Sequence, residues 1–294
     1  MVTPPEARAA SRTLLDVVRL STTYLGEHGS SSPRLDAELI AAHALGVRRL
    51  DVYLQFDRVL AGGELEPLRE LIRRRGAGEP VAYITGEREF YSRPFSVSPE
   101  VLIPRPETET LVACALRRMR QADSPSLHVA DLGTGSGCIA VTLAAERAGA
   151  RLVATDVSAA ALELAARNAH RHAVGEAVAF IASSWADGVD ETFDLVVSNP
   201  PYVTSSELES ADRDVRDYEP ALALHGGADG LDAYRALLTS VIGRIRSGGA
   251  LLLEVDPRRA AAVTDLVRSA LPVASCDVVS DLAGRQRVVI AQLG

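Results

Sequence analysis

From about residue 100 onward, short apolar runs alternate with longer segments of helical period, and few folds accept that pattern. "LHVADLG", "RLVATD", "AVAFIAS", "FDLVVSNP" and "ALLLEV" read as buried strands. "SGCIAVTLAAERAG", "SAAALELAARNAHRH" and "GLDAYRALLTSVIGRIRSGG" read as helices between them. "RRAAAVTDLVRSAL" is a further helix, followed by two strands around "DLAGRQRVVIAQ". Strands joined through helices give an α/β fold, a mostly parallel sheet covered by helices on both faces. Ligands of such sheets bind at the carboxyl ends of the strands. Residues at the end of each apolar run are therefore the first place to look for function.

Residues 1–78 read instead as a small helical domain. In "SPRLDAELIAAHALG", Ser32 can cap, Pro33 suits the first turn and Gly46 marks the end. "GELEPLRELIRRRG" is a second helix closed by Gly76. Residues 79–100 open with "EPVAYITGEREFYSRPFSV", switch to short extended pieces and read as a β-hairpin linker. Residues 101–294 then form the α/β domain.

Composition narrows the class. The net charge is −8, and all 31 basic residues are arginine. An acidic chain is a poor non-specific ligand for nucleic acid, where a basic face supplies most of the grip. The cysteines at 114, 138 and 276 fit neither a zinc site nor a disulfide framework, so no metal is expected and a reducing compartment is. The first residues hold no signal-like apolar stretch, and no apolar run reaches membrane-spanning length. The expectation is a cytoplasmic protein.

Two strand ends carry chemistry. "DLGTGSG" spans Asp131 to Gly137, with Gly133, Gly135 and Gly137 two apart. Such glycines let the backbone pass close to a ligand and tolerate positive φ. A dinucleotide fingerprint would need its third glycine at position 138, where Cys138 stands. A nucleoside cofactor without a pyrophosphate and a plain strand-to-helix turn are the readings left open. Asp156 ends the next strand, where a carboxylate can accept from ribose hydroxyls or cap the next helix. Together these stretches resemble the S-adenosyl-L-methionine site of Rossmann-like class I methyltransferases. That resemblance puts Gly133, Thr134, Gly135, Ser136 and Gly137 under the cofactor, Asp156 on its ribose and Trp185 beside its adenine. A half-buried packing residue is the other reading of Trp185.

The second strand end is "SNPPY", Ser198 to Tyr202. Two prolines remove two backbone donors and fix two φ angles, so "FDLVVS" ends stiffly with Asn199 at its tip. A planar NH2 is a poor nucleophile because its lone pair is delocalised. No side chain is basic enough to deprotonate it outright. Acceptors that hold its N–H groups orient it and stabilise the positive charge that grows during transfer. Asn199 offers a side-chain carbonyl and Pro200 a main-chain one. Pro201 stiffens the turn, and Tyr202 offers a face for stacking. The tetrapeptide alone leaves adenine, guanine and glutamine nitrogens open as acceptors.

Longer motifs are more specific. "EPVAYITGEREF", "LIPRPETETLV", "YEPALALHGGADGLDAYR" and "DLAGRQRVV" join "DLGTGSG" and "SNPPY" in resembling the release factor glutamine methyltransferase family (PrmC, also called HemK). The resemblance covers nearly the whole chain. It implies methylation of the side-chain nitrogen of the glutamine in the Gly-Gly-Gln loop of class 1 peptide chain release factors, an event of translation termination. It implies a protein partner. No direct nucleic acid and no membrane are expected from charge and hydropathy, and the helical N-terminal domain is expected to dock the partner. Two departures stand out. Ser184 replaces an acidic residue common before the Trp185 position, and Val255 to Arg259 diverge after "LLLE". A nucleic-acid N-methyltransferase and a non-catalytic binding protein of the same fold are the competing readings.

Overall fold

The computed structural model describes residues 12–122, 124, 126–272 and 274–294. Residues 1–11, where the helical reading begins, lie outside them. The chain forms two compact units. One runs up to Gly86 and also takes in Arg213–Tyr218. The other comprises Glu87–Asp212 and Glu219–Gly294.

The first unit is helical. Its elements are α1 (Leu14–Glu27), α2 (Pro33–Leu45), α3 (Arg49–Leu54), α4 (Gly62–Gly76) and α5 (Val81–Thr85). Thr13 and Asp16 form a capping box on α1. Pro33 begins α2, and Gly46 ends it in the left-handed region at φ 65°. Ser32 sits at the cap position without a side-chain bond. Leu14, Leu25, Ile40, Val52 and Leu68 fill a common core, each at most 1% exposed. Residues 81–85 correct the extended reading of this stretch. Burial of Ile84 in that core outweighs the β preference of Val, Tyr and Ile, and Gly86 closes the turn at φ 71°.

The second unit opens with a hairpin of β1 (Glu87–Phe90) and β2 (Arg93–Ser96). Its turn holds Tyr91 and Ser92 at φ 51° and 57°. Two positive φ angles match the twist of a two-residue hairpin and explain why glycine suits position 92. Next come α6 (Thr108–Gln121), β3 (His128–Leu132), α7 (Cys138–Glu146), β4 (Arg151–Asp156), α8 (Ala159–Arg171), β5 (Val178–Ala182) and β6 (Phe193–Ser198). Short helices α9 (Ser205–Glu209) and α11 (Ala221–Leu224) flank α10 (Arg213–Tyr218), which belongs to the first unit. The remaining elements are α12 (Asp232–Ser240), β7 (Ile245–Glu254), α13 (Ala260–Ala270), β8 (Ser275–Ser280) and β9 (Gln286–Gln292).

The seven-stranded sheet has the order β5-β4-β3-β6-β7-β9-β8. The strands from β5 to β7 are parallel, and β9 pairs antiparallel with both β7 and β8. One face buries Leu111, Leu116, Ile139 and Val141 against the sheet, together with Phe90 and Phe95 of the hairpin. The other face buries Tyr234, Leu237, Val263 and Val267. The chain reverses order after β5, so β3 and β6 are neighbours. Strand order that reverses beside the first strand opens a crevice at the carboxyl ends.

One helix is shorter than its periodicity predicts. "GLDAYRALLTSVIGRIRSGG" is helical only over Asp232–Ser240, and β7 starts at Ile245. Gly248 (φ 76°) and Gly249 let β7 bulge, so pairing jumps from Phe193–Ile245 to Leu195–Ala250. A side chain at 249 would strike the Arg246 carbonyl at 2.8 Å.

Candidate active site

A cavity of about 470 Å³ opens at the carboxyl ends of β3, β4 and β6, entirely within the second unit. Gly133, Thr134, Gly135, Ser136, Asp156, Trp185, Asn199 and Pro201 line it. Its other wall comes from Leu102, Pro104 and Arg105 ahead of α6 and from Leu222 and Ala223 of α11. No group of His, Cys, Asp and Glu among the described residues could hold a metal ion.

The glycine loop is held from four sides. Gly133 N and Thr134 N both donate to the Thr155 carbonyl of β4, at 2.9 and 2.8 Å. Gly135 N donates to Asp156 Oδ2 at 2.9 Å. Asp131 is fully buried and accepts from Thr134 Oγ1 at 2.6 Å and Ala140 N at 3.1 Å. Asn168 Nδ2 donates to the Ser136 carbonyl at 2.8 Å and to the Ser96 carbonyl of β2 at 3.0 Å. Burial lifts the Asp131 carboxyl to about 7, with Asp156 pushing the same way.

The three glycines answer different demands, all at positive φ. A side chain on Gly133 would meet the Trp185 ring at 3.2 Å, whereas at Gly135 nothing lies within 4 Å. Gly135 therefore leaves bare backbone facing the cavity. Gly137 is outside the cavity lining. A side chain there would press on Ala165 of α8 at 2.9 Å, so this glycine packs α7 against α8.

Asp156 uses one oxygen for Gly135 N and the other for Ser158 N, at 2.9 Å each. Each oxygen keeps a second lone pair for a ligand hydroxyl. Ser158, not Asp156, caps α8, with its Oγ accepting from Ala161 N. Trp185 is half-buried, lines the cavity and packs on the second core. Its backbone lies at φ 50°, a strained conformation for a bulky residue. Ser184 lies beside it in the lining and is exposed.

Ser198 anchors the other tip. Its Oγ donates to the Leu132 carbonyl at 2.6 Å, tying β6 to β3 where the glycine loop begins. Asn199 is next in the chain, and its Nδ2 donates to Thr108 Oγ1 at 3.3 Å. The amide oxygen is thereby left for the cavity. Pro200 and Tyr202 do not line the cavity. The Tyr202 ring packs, partly buried, against the second core. Burial, then the charges of Glu254 and Asp256, push its phenol up to about 12.

The glycine-rich "HGGADG" loop braces this turn. Val203 N donates to the Leu224 carbonyl, and Gly226 N donates to the Val203 carbonyl. A side chain at Gly226 would lie 2.7 Å from Tyr202 Cα and 2.8 Å from the Pro201 carbonyl. One at Gly230 would meet the Tyr202 carbonyl at 2.4 Å. The divergent Val255–Arg259 segment joins the brace. Arg259 donates to Glu207 of α9 at 2.5 Å and to the Asp229 carbonyl at 3.3 Å.

Sequence reading did not single out Asp131, Asn168, Thr108 or Glu219. Glu219 accepts from Arg105 at 2.5 Å and from Ile103 N at 3.2 Å, fixing the wall ahead of α6. Asn168 stands mid-helix in "ARNAHRH", 32 residues from its partner Ser136, and nothing local marks it.

The bare backbone at Gly135, the spare acceptor capacity of Asp156 and the aromatic wall of Trp185 fit a nucleoside-bearing cofactor. Comparison with known proteins agrees. The PrmC N-terminal domain family matches residues 16–86, and the methyltransferase small domain family matches residues 111–217. The fold is shared with a methyltransferase from Pyrococcus furiosus at TM-score 0.50, 17% identical over 77% of this chain and 98% of the other. It is shared with a ribosomal RNA methyltransferase from T. thermophilus at TM-score 0.51, 18% identical over 71% and 50%. Release factor glutamine methyltransferases are far more similar in sequence. That of Rhodopirellula baltica is 39% identical over 95% of this chain and 96% of its own length. That of Chlorobaculum tepidum is 42% identical over 90% and 92%. The chain is a Rossmann-like methyltransferase and belongs to the release factor glutamine methyltransferase family.

Proposed function

We propose that this enzyme methylates the side-chain amide nitrogen of the glutamine in the Gly-Gly-Gln loop of class 1 peptide chain release factors, in the cytoplasm. S-adenosyl-L-methionine supplies the methyl group, carried on a positive sulfur that needs no activation by the protein. Gly133, Thr134, Gly135, Ser136, Asp156 and Trp185 are the residues that would hold it, with Gly137 setting the loop from behind. The observation that carries the reading is Asn199. Its NH2 donates to Thr108, which favours its oxygen as the acceptor at the cavity.

Asn199 Oδ1 accepts one N–H of the substrate amide, and Pro200, although not part of the cavity lining, supplies the second acceptor through its main-chain carbonyl. Pro201 contributes wall, and Tyr202 carries the turn from behind. Held this way, the amide nitrogen would take the methyl carbon as the methyl–sulfur bond breaks to leave a neutral thioether, and would give up its proton to solvent. Orientation of a reactant contributes up to about 7–11 kcal/mol when the geometry is right, so no titrating base is needed. The net charge of −8 disfavours a nucleic-acid acceptor.

Mass spectrometry of a release factor treated with enzyme and cofactor tests the proposal. The expected product is heavier by about 14 Da, with the gain confined to the loop glutamine. Labelled methyl appearing instead on DNA or ribosomal RNA would assign the nucleic-acid activity. Cofactor binding without transfer to any acceptor would assign the binding protein.

A further inference from the structure

Glu254 ends β7 with its side chain buried, 1% exposed overall. Neither carboxyl oxygen has a hydrogen-bond partner among the described residues. A buried carboxyl without a donor is destabilising, and the chemistry above makes no use of it. Its place in the sheet is specific. Ser198 pairs with Leu253 across β6 and β7, and one residue beyond that pair stand Asn199 and Glu254. Thr108, the first residue of α6, is buried. Its hydroxyl accepts from Asn199 Nδ2, and it is the foremost of the groups that favour the charged form of Glu254.

We infer that Glu254 and Thr108 are positioning residues that fix which way the Asn199 amide faces. The inference rests on the reading of Asn199 as the substrate acceptor. An ionised carboxylate only accepts, so it takes the Thr108 proton. Thr108 then has only lone pairs to offer Asn199. The amide must turn its NH2 to Thr108 and its oxygen to the cavity. A neutral group at 254 brings a donor as well as an acceptor, so Thr108 is no longer compelled to donate to it. Thr108 is then free to donate to Asn199 Oδ1, which turns the NH2 toward a substrate that is itself a donor. The Thr108 hydroxyl and the Glu254 carboxyl lie outside hydrogen-bond geometry in this structure, so the relay requires the two to approach.

Several groups act on Glu254. Arg287 of β9 and Arg105 favour its charge, and Glu107 opposes it. Cys138, Tyr202 and Tyr234 also feel its charge. Burial is the largest influence and places the carboxyl at about 7. The relay is therefore fixed in its working sense above that pH and loses that constraint below it.

The test uses the full chain with a release factor as methyl acceptor. Turnover at saturating cofactor, cofactor affinity by calorimetry and the pH profile are measured for wild type, Glu254→Gln, Thr108→Val, Thr108→Ser and Asn199→Ala. Glu254→Gln and Thr108→Val are expected to lower kcat about tenfold, the effect of one buried hydrogen bond, at unchanged cofactor affinity. Thr108→Ser, which keeps the hydroxyl, should stay near wild type. Wild-type kcat should fall below pH 7 or so, and Glu254→Gln should lack that limb. Asp131 titrates in the same range, so a limb that survives in Glu254→Gln overturns the relay. Wild-type turnover by Glu254→Gln and Thr108→Val, with Asn199→Ala inactive, also overturns it and leaves the acceptor reading standing. Full activity in Asn199→Ala removes the acceptor reading and the relay together.

Discussion

Asp156 accepts from Gly135 N on one oxygen and from Ser158 N on the other, so a single carboxylate aligns the glycine loop with the start of α8. Asp156→Ala removes that alignment together with the ribose acceptor. Hydrogen bonds to a charged group contribute about 1.5–3 kcal/mol, so cofactor Kd should rise by roughly 10- to 100-fold. Calorimetry checks this, and an unchanged Kd would refute the ribose assignment. Glu254 bears on stability as well as on Asn199. Its folded-state carboxyl is raised from 4.5 to about 7, chiefly by burial. The folded protein thus holds this proton more tightly than the unfolded chain does. The stabilisation is complete below the unfolded value and is lost as pH rises from 4.5 to about 7. At ~1.4 kcal/mol per pKa unit the loss is ~3 kcal/mol. Glu254→Gln escapes it, so its melting temperature should exceed that of wild type at pH 8, and the gap should close near pH 4.5. A variant more stable yet slower would show that the carboxylate is retained for its effect on Asn199. Equal melting at both pH values would rule out the burial argument.

Elements place these residues, and they were legible in the sequence to unequal degrees. The strands that carry "DLGTGSG", "ATD" and "SNPPY" were readable because apolar runs end abruptly in residues with fixed backbone demands. Pro200 and Pro201 could only end a strand, and Gly133, Gly135 and Gly137 could only mark positive φ. The start of β7 was not readable. Helical period runs through Ile242 to Ile245, and only pairing with Phe193 turns Ile245 into strand. Thr108 and Glu254 escaped for a related reason. Each looks local, the first turn of a helix and the end of a strand, and they meet only when α6 lies over the sheet. The "HGGADG" loop is a backbone brace. Gly226→Ala puts a methyl 2.7 Å from Tyr202 Cα, where main chain and not a flexible side chain must give way. Displacing the turn by about 1 Å is enough to lower turnover on the order of a hundredfold. Cofactor affinity should hold, because the glycine loop lies on different strands. Steady-state kinetics beside calorimetry would expose a joint loss of both, which would mean that the loop supports the whole cavity.

At the scale of the whole molecule, the chain leaves the first unit after Gly86, returns for Arg213–Tyr218 and leaves again at Glu219. The returning segment is held inside the first unit by charge and by one hydroxyl. Arg75 donates to Asp36 at 2.7 Å and to the Glu79 carbonyl at 3.2 Å, and it lies 3.5 Å from Asp214. Tyr218 donates to the Ala77 carbonyl at 3.2 Å. The next residue, Glu219, belongs to the second unit and there fixes Arg105 and Ile103 of the cavity wall. One stretch of chain thus serves both units in succession. Arg75 and Asp36 are only 11% and 10% exposed in their side chains, so solvent screens the pair weakly. Removing one partner of such a pair strands the other charge, a loss of about 3–5 kcal/mol. Ser30, which also donates to Asp36, keeps the loss toward the lower figure. Arg75→Met retains the apolar stem and deletes the charge. Urea unfolding of the full chain should register the loss, and hydrogen exchange should accelerate first in residues 213–218. Faster exchange confined to α2 and α4, with 213–218 still protected, would mean that Tyr218 and packing hold the returning segment without Arg75.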